Sequence, residues 1–535
     1  MSKDTARGGG NPTRSRRRSE SDTPGAVSGS PTLQRGAIGL SDAVVNTLSN
    51  MAPVEGIFIV VVLVAASMGS LTPWAFMLGA VAIFMTGWNL AQFARRVPSA
   101  GSYVGFAFHG GNAVRPGLGR HAAAFIFYLS LLSAPVTIAA VVVFLGSWLQ
   151  TAAGLPNIWW LVISLMVIAG TLPVILRGIV TSVRTAVVLF CLEAGGLLLI
   201  SVVILARSGH SFTAPLHATG GAGGFSGLLG ITFATAVSGF VGWENSAGLA
   251  EEIRNPRRVI PIAVLSSIAV VAALYLVSTW SAVSGYAHWL GPVKGMARLG
   301  NLTNAAPFLE LANHYAPWFY YGVVAIGVIS PAACYLAAVT QCSRWTYASA
   351  RSGLLPRPLA RISPAHRVPA NAIWLYAIVI AALCVVPYWL LHGNAVTIAA
   401  YEAGIGTVPI LFVYLVISLL LPVYVWRRDR GSFSIVSHVL PAIVAVGVIA
   451  YGLYEFVLPS QPPPANRFWI YIAAITVLAL VGTLVIVRRL GGTIDALGGV
   501  APAEQQDRAA TAAADPVMSS SSPPGQPAEA LGEPA

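Results

Sequence analysis

Residues Ile231 to Pro261 read ITFATAVSGFVGWENSAGLAEEIRNPRRVIP, and this stretch decides how the rest of the chain is read. It opens as an apolar segment and carries Gly239, Gly242 and the acid Glu244 near its middle. It closes on the charged run Glu251-Glu252-Ile253-Arg254-Asn255-Pro256-Arg257-Arg258. A carboxylate inside a membrane span costs on the order of 3 kcal/mol on insertion scales, so such an acid faces a cavity or a partner. Glycines beside it let a helix unwind, and unwound backbone survives at that depth only where it lines a cavity or is covered by protein. Glu244 is therefore either part of a solute site or a paired acid on a glycine-rich helix contact.

The composition sets the class. Hydrophobic residues make up 56% of the 535 and charged residues 9%, with a mean hydropathy of +0.72; soluble domains carry about 25% charged residues. This is the composition of an all-α polytopic membrane protein. Twelve apolar spans are read, at about 42–67, 71–93, 121–149, 158–176, 180–206, 225–250, 259–287, 318–342, 371–392, 396–426, 435–458 and 468–487. Each is long enough for a hydrocarbon core of about 30 Å.

The net charge of +12 would suit nucleic acid or an anionic solute, but its placement argues for membrane orientation and against a nucleic-acid partner. Loops on one side hold Arg95, Arg96, Arg254, Arg257, Arg258, Arg344 and Arg351 among others, whereas the opposite loops hold only Arg207, Lys294, Arg298 and Arg467. The positive-inside rule then places both termini in the cytoplasm. Residues 1–37 form a basic tail with Arg14, Arg16, Arg17 and Arg18 clustered, and 491–535 an Ala-, Pro- and Ser-rich one. Both are too poor in apolar residues to fold and are expected to be disordered, leaving 38–490 as the membrane domain. The basic tail lacks the apolar core and cleavage site of a secretory signal. Cys191, Cys334, Cys342 and Cys384 all fall in apolar spans at no metal-ligand spacing, so neither a disulfide nor a metal site is expected. No phosphate loop or hydrolase motif occurs, and no nucleophile–base pair can be assembled, so an enzyme is not expected.

A second interruption lies in the first span, Asn46-Thr-Leu-Ser-Asn50-Met51-Ala52-Pro53-Val54-Glu55-Gly56-Ile57-Phe58. Proline has no amide to donate and crowds the preceding turn, while glycine loosens the backbone, so the helix should break between Pro53 and Gly56. Five spans later, Ser238 to Glu244 supplies the matching break. Two interrupted helices at corresponding places in two five-span halves point to an inverted repeat with a site at mid-membrane.

The same segments carry a family resemblance. Phe240-x-Gly242-Trp243-Glu244, followed by Leu249-Ala250-Glu251-Glu252-x-Arg254-Asn255-Pro256 and Ile260-Pro261, resembles the sixth-helix signature of the amino acid–polyamine–organocation permeases. Arg95-Arg96-Val-Pro98-Ser99-Ala-Gly101-Ser102-Tyr103 is similar to the family's connection after the second helix. Arg344-x-x-Tyr347-Ala348-x-Ala350-Arg351-x-Gly353-Leu354-Leu355-Pro356 is similar to the end of its eighth, and Pro369-Ala370-Asn371-Ala372 to the entry of its ninth. The resemblance implies the leucine-transporter type of fold. Its first repeat would cover about 42–206 and its inverted second about 225–426, with two peripheral helices over 435–487.

The resemblance also implies a site. In that architecture the unwound pieces hold a zwitterion through backbone groups, with carboxylate-facing amides at Ala52, Val54, Glu55 and Gly56. Ammonium-facing carbonyls would lie at Ser238, Gly239 and Val241, with Glu244 beside them. This chain departs from the pattern twice. Where many relatives carry Gly-Ser-Gly, it has Val54-Glu55-Gly56; Glu55 either faces the solute, favouring amines and cationic amino acids, or turns away toward a helix end or neighbouring span. The position that often holds an aromatic gate is Ser238, which leaves Phe240 or Phe233 for gating.

Glu193, near the middle of its span, is aligned where some proton-coupled relatives carry a lysine in place of a sodium site. It is either the acid that couples transport to a proton, with sodium as the alternative ion, or a hydrogen-bonded acid within the bundle. Glu402 lies either at an outer vestibule or as a solvated helix-end acid. No other cofactor is expected. The resulting expectation is a proton-driven permease for amino acids, organic amines or polyamines, working by alternating access in a bacterial cytoplasmic membrane as a monomer or homodimer. An exchanger, and a sensor that binds without transport, remain the alternatives.

Overall fold

The apolar runs fold as helices because lipid offers no partner to a backbone amide or carbonyl, and a helix satisfies both internally. A computed structural model describes residues 36, 38–97, 102–221, 236–250, 252–301, 306–351, 354–390, 394–457 and 465–498. In chain order the first helices are α1 Leu40–Met51, α2 Pro53–Met68, α3 Thr72–Arg96, α4 Tyr103–Val114, α5 Leu118–Ala152, α6 Trp159–Leu176 and α7 Ile179–Arg207. There follow α8 Pro256–Leu290, α9 Pro292–Leu299, α10 Pro307–Tyr315, α11 Tyr320–Arg351, α12 Ala370–Leu390, α13 Ala395–Arg428, α14 Leu440–Val457 and α15 Phe468–Gly498. No strand forms among the described residues beyond one parallel bridge between Ile38 and Ile253.

Among these residues, 10 helical stretches are long and apolar enough to cross a membrane, which makes the chain a multi-pass membrane protein. One stretch, Leu40–Arg96, runs for 57 residues and is interrupted at Ala52 and again at Gly69–Leu71. Pro135, Pro261, Pro331, Pro409 and Pro422 all sit inside helices; within a bundle, neighbouring helices can satisfy the backbone groups they free.

α8 lies along α3, α13 along α5, and α11 along α7. The interior is aromatic: Phe58 stacks between Trp148 and Phe308 at centroid distances of 4.7 and 4.8 Å, and Trp243, Tyr275 and Tyr414 are fully buried nearby. Large apolar side chains such as Ile378, Trp389 and Ile443 point outward, as lipid-facing surfaces require. Ion pairs tie helix ends to neighbouring segments, Arg298 of α9 to Glu310 of α10 among them. Arg344 of α11 meets Glu252 at 2.5 Å in a buried position, and Arg96 at the end of α3 meets Asp429 at 2.9 Å.

Candidate substrate site

The first interruption is a one-residue reversal. α1 stops at Met51, Ala52 takes a left-handed conformation with φ 43° and ψ 63°, and α2 begins at Pro53. Pro53 fits this place because the first position of a helix needs no amide donor. The amide of Ala52 donates to the Ser49 carbonyl at 3.4 Å, that of Gly56 to Ala52 at 2.9 Å, and that of Glu55 to the Ser330 hydroxyl at 3.3 Å.

The second interruption is longer. Residues 236–238 are helical, Gly239 to Glu244 form turns, and a short helix resumes at Asn245–Gly248. Gly242 has φ 106°, open only to glycine without strain, and a Cβ there would lie 2.7 Å from the Asn50 carbonyl oxygen. The turn folds back on its own acid: the Gly242 amide donates to Glu244 Oε2 at 3.2 Å, and the Tyr414 hydroxyl donates to the same oxygen at 2.7 Å.

Side chains stitch the two breaks to each other. Asn50 Nδ2 donates to the Gly242 carbonyl at 3.1 Å, and Asn245 Nδ2 donates to the Asn46 carbonyl at 3.2 Å. The Tyr275 hydroxyl donates to the Gly239 carbonyl at 2.5 Å. These bonds satisfy groups that the interrupted helices would otherwise leave open.

Between the breaks lies a cavity of about 170 Å³. Of the residues expected at a site, Glu55, Gly56, Ser238, Gly239, Val241 and Glu244 line it. Ala52 and Val54 are fully buried at the break without lining the cavity. Phe240 is also fully buried, with its ring 4.9 Å from that of Tyr275, while Phe233 lies outside the described residues. Thr137 from α5, Gln341 from α11 and Thr407 from α13 close the far walls. Two acids and no Lys, Arg or His are among the lining residues. The lining therefore suits a cation or a neutral polar solute, while the amides of Ala52, Glu55 and Gly56, expected to face a carboxylate, are already engaged.

Glu193 does not line the cavity. It is fully buried on α7, and among the described residues neither carboxyl oxygen has a partner in good hydrogen-bond geometry, the Ser330 hydroxyl lying beside it. Because Ser330 also accepts from the Glu55 amide, one serine stands between the cavity-facing acid and the sequestered one. Glu402 is buried on α13 rather than solvated, and both of its oxygens lack partners among the described residues. Among the described residues no group of three or more His, Cys, Asp or Glu is placed to hold a metal ion.

Several residues were not evident from sequence: Tyr275, Tyr414, Ser330 and Gln341. The usable signal was a hydroxyl or carboxamide in the middle of an otherwise apolar span, which in a membrane marks an inward face.

Residues 38–480 match the profile of a protein family described as amino acid permease. The chain belongs to that family. This permease is 24% identical over 429 residues to a methylthioribose transporter of Bacillus subtilis, covering 76% of this chain and 84% of the relative. It is 26% identical over 231 residues to a branched-chain amino acid permease of Lactococcus lactis, covering 41% and 45% of the two chains. Over 196 residues it is 29% identical to a vacuolar cationic amino acid transporter of Arabidopsis thaliana, covering 37% and 28%. The family is one of permeases, not of enzymes, and its name supports a small-molecule amino acid or a related compound as the solute.

Proposed function

We propose that this permease is a secondary active transporter that moves amino acids or related organic amines across a bacterial cytoplasmic membrane by proton symport, with alternating access to the cavity between α2 and the 239–244 turn. The observation that carries the reading is that cavity, set between two facing helix breaks and lined by Glu55 and Glu244 with no basic side chain among the described residues. The fold belongs to the reading. If the 57-residue stretch counts as two crossings and the stretch around 225–250 as one more, the 10 candidate spans become twelve. The packing supports a five-plus-five repeat: exchanging the halves turns the α5–α13 contact into the α11–α7 contact and leaves α3–α8 paired with itself. Both termini are assigned to the cytoplasm from the arginine-rich loops.

Glu193 is assigned the coupling role, because an ionised carboxyl buried at this depth must be matched by a proton or another cation. Sodium is the alternative ion. A second reading comes from the longest of these matches. A relative named for methylthioribose, together with a cavity free of basic groups, supports a neutral hydroxyl-bearing solute.

Uptake into proteoliposomes tests both readings, using labelled amino acids, amines and methylthioribose with and without an inward proton gradient. Saturable, gradient-driven accumulation of an amino acid or amine is expected. Binding without flux would make the protein a sensor, and flux that needs a counter-solute would make it an exchanger. A Glu193→Gln protein that still accumulates solute with an unchanged pH profile removes Glu193 from the coupling role.

A further inference from the structure

We propose that the permease has a second binding subsite beside the central cavity, which takes an uncharged hydrogen-bonding group, a hydroxyl or a carboxamide, at the far end of the solute. This rests on the transport reading above and adds where the tail of the solute lies. A chamber of about 100 Å³ adjoins the cavity and is lined by Ser102, Tyr103, Ser130, Ser133, Gln341 and Glu244, among others. Glu244 and Gln341 line both spaces and so stand at the boundary. At about 30 Å³ per water, the chamber has room for a group of a few heavy atoms and not for a second whole solute.

Ser102 is the residue that points to a ligand. It is the N-cap of α4, where a serine hydroxyl ordinarily accepts a hydrogen bond from an amide of the first turn. Here it makes no such bond, although it is only 6% exposed, and its hydroxyl has no partner among the described residues. Its backbone sits at φ 46° and ψ −119°, a conformation rare for any residue but glycine. The neighbouring Tyr103 hydroxyl is likewise buried without a partner among the described residues. A serine held in a strained conformation with its cap unmade, in the wall of a chamber, has its hydrogen bond left to give.

The chemistry of the lining selects a neutral group. Four hydroxyls and a carboxamide offer both donors and acceptors. Glu244 disfavours an anion, and its Oε2 is already engaged by Tyr414 and Gly242. The N-terminus of α4, at Ser102 and Tyr103, carries the positive end of the helix dipole and disfavours a cation.

The test uses the full chain, measuring binding by thermal stabilisation in detergent and inhibition of uptake in proteoliposomes. The panel is L-norvaline, L-homoserine, L-glutamine, L-ornithine, L-glutamate and methylthioribose. Ser102→Gly removes the hydroxyl and suits the positive φ, so it should fold; Tyr103→Phe is the second variant. Affinity for homoserine and glutamine is expected to fall about three- to tenfold in each, the loss of one hydrogen bond, with norvaline held within about twofold. Equal change for norvaline and glutamine, or no change for either, overturns the subsite alone. A change confined to ornithine or glutamate overturns its neutral character. No binding by any member overturns both this subsite and the transport reading.

Discussion

The Tyr275 hydroxyl, on α8, donates to the Gly239 carbonyl at 2.5 Å and so fills an acceptor that the interrupted helix leaves open. The same hydroxyl limits what can stand at Gly56 on the opposite break. A Cβ at Gly56 would lie 3.2 Å from both the Gly239 oxygen and Tyr275 Cζ, and closer still to the Tyr275 hydroxyl. Gly239, Gly56 and Tyr275 thus form one three-way contact at the cavity wall.

This contact predicts non-additive mutations. Gly56→Ala should cost about 1–3 kcal/mol by overpacking, and Tyr275→Phe about 1 kcal/mol for the lost hydrogen bond. Combined, they should cost less than the sum by at least about 0.5 kcal/mol, since removing the hydroxyl makes room for the new methyl. Unfolding of the purified protein in detergent measures the cycle; strict additivity would refute the contact.

The buried pair of Arg344 and Glu252 makes a second prediction. Arg344→Met should destabilise by about 3–5 kcal/mol, because it removes the guanidinium paired with a carboxylate that has little access to water. Replacing both residues, Arg344→Met with Glu252→Leu, should recover much of that loss. The readout is the unfolding midpoint of the single and double variants. A single variant as stable as the parent would mean that water reaches Glu252.

Asp429 supplies a pH dependence outside the membrane. A hydrogen bond from Ser432, and then the Arg96 guanidinium, hold its carboxyl below the usual carboxylate range. A lowered value in the folded state means that the stabilisation is present above the ordinary carboxyl titration near pH 4 and is lost as pH falls through the lowered value. Asp429→Asn should therefore be less stable than the parent at neutral pH, with the gap closing in acid. Paired unfolding curves across that range measure it, and a constant gap would rule it out.

The local grammar of the chain carried much of this fold. Pro53 lacks an amide and Gly242 tolerates a positive φ, so both interruptions were readable from single residues, but the first falls at Ala52 and the expected break, Pro53 to Gly56, is helical because proline fits the first position of α2. Six of the residues expected at the site do line the cavity, since they flank those interruptions. What local pattern could not supply is pairing at long range: Tyr275 finds its carbonyl 36 residues away, and Tyr414 finds Glu244 across 170. Glu193 shows the same limit. Its depth within a span was plain, but the wall between it and the cavity depends on how α7, α11 and α2 meet. The partners of the charges are equally non-local: Glu252 goes to Arg344, 92 residues away, and Arg96 to Asp429.

The paired asparagine straps, Asn50 to Gly242 and Asn245 to Asn46, have a mechanical consequence. They fasten α1 to the second break at two points, so a displacement of α1 on its own would have to break both hydrogen bonds.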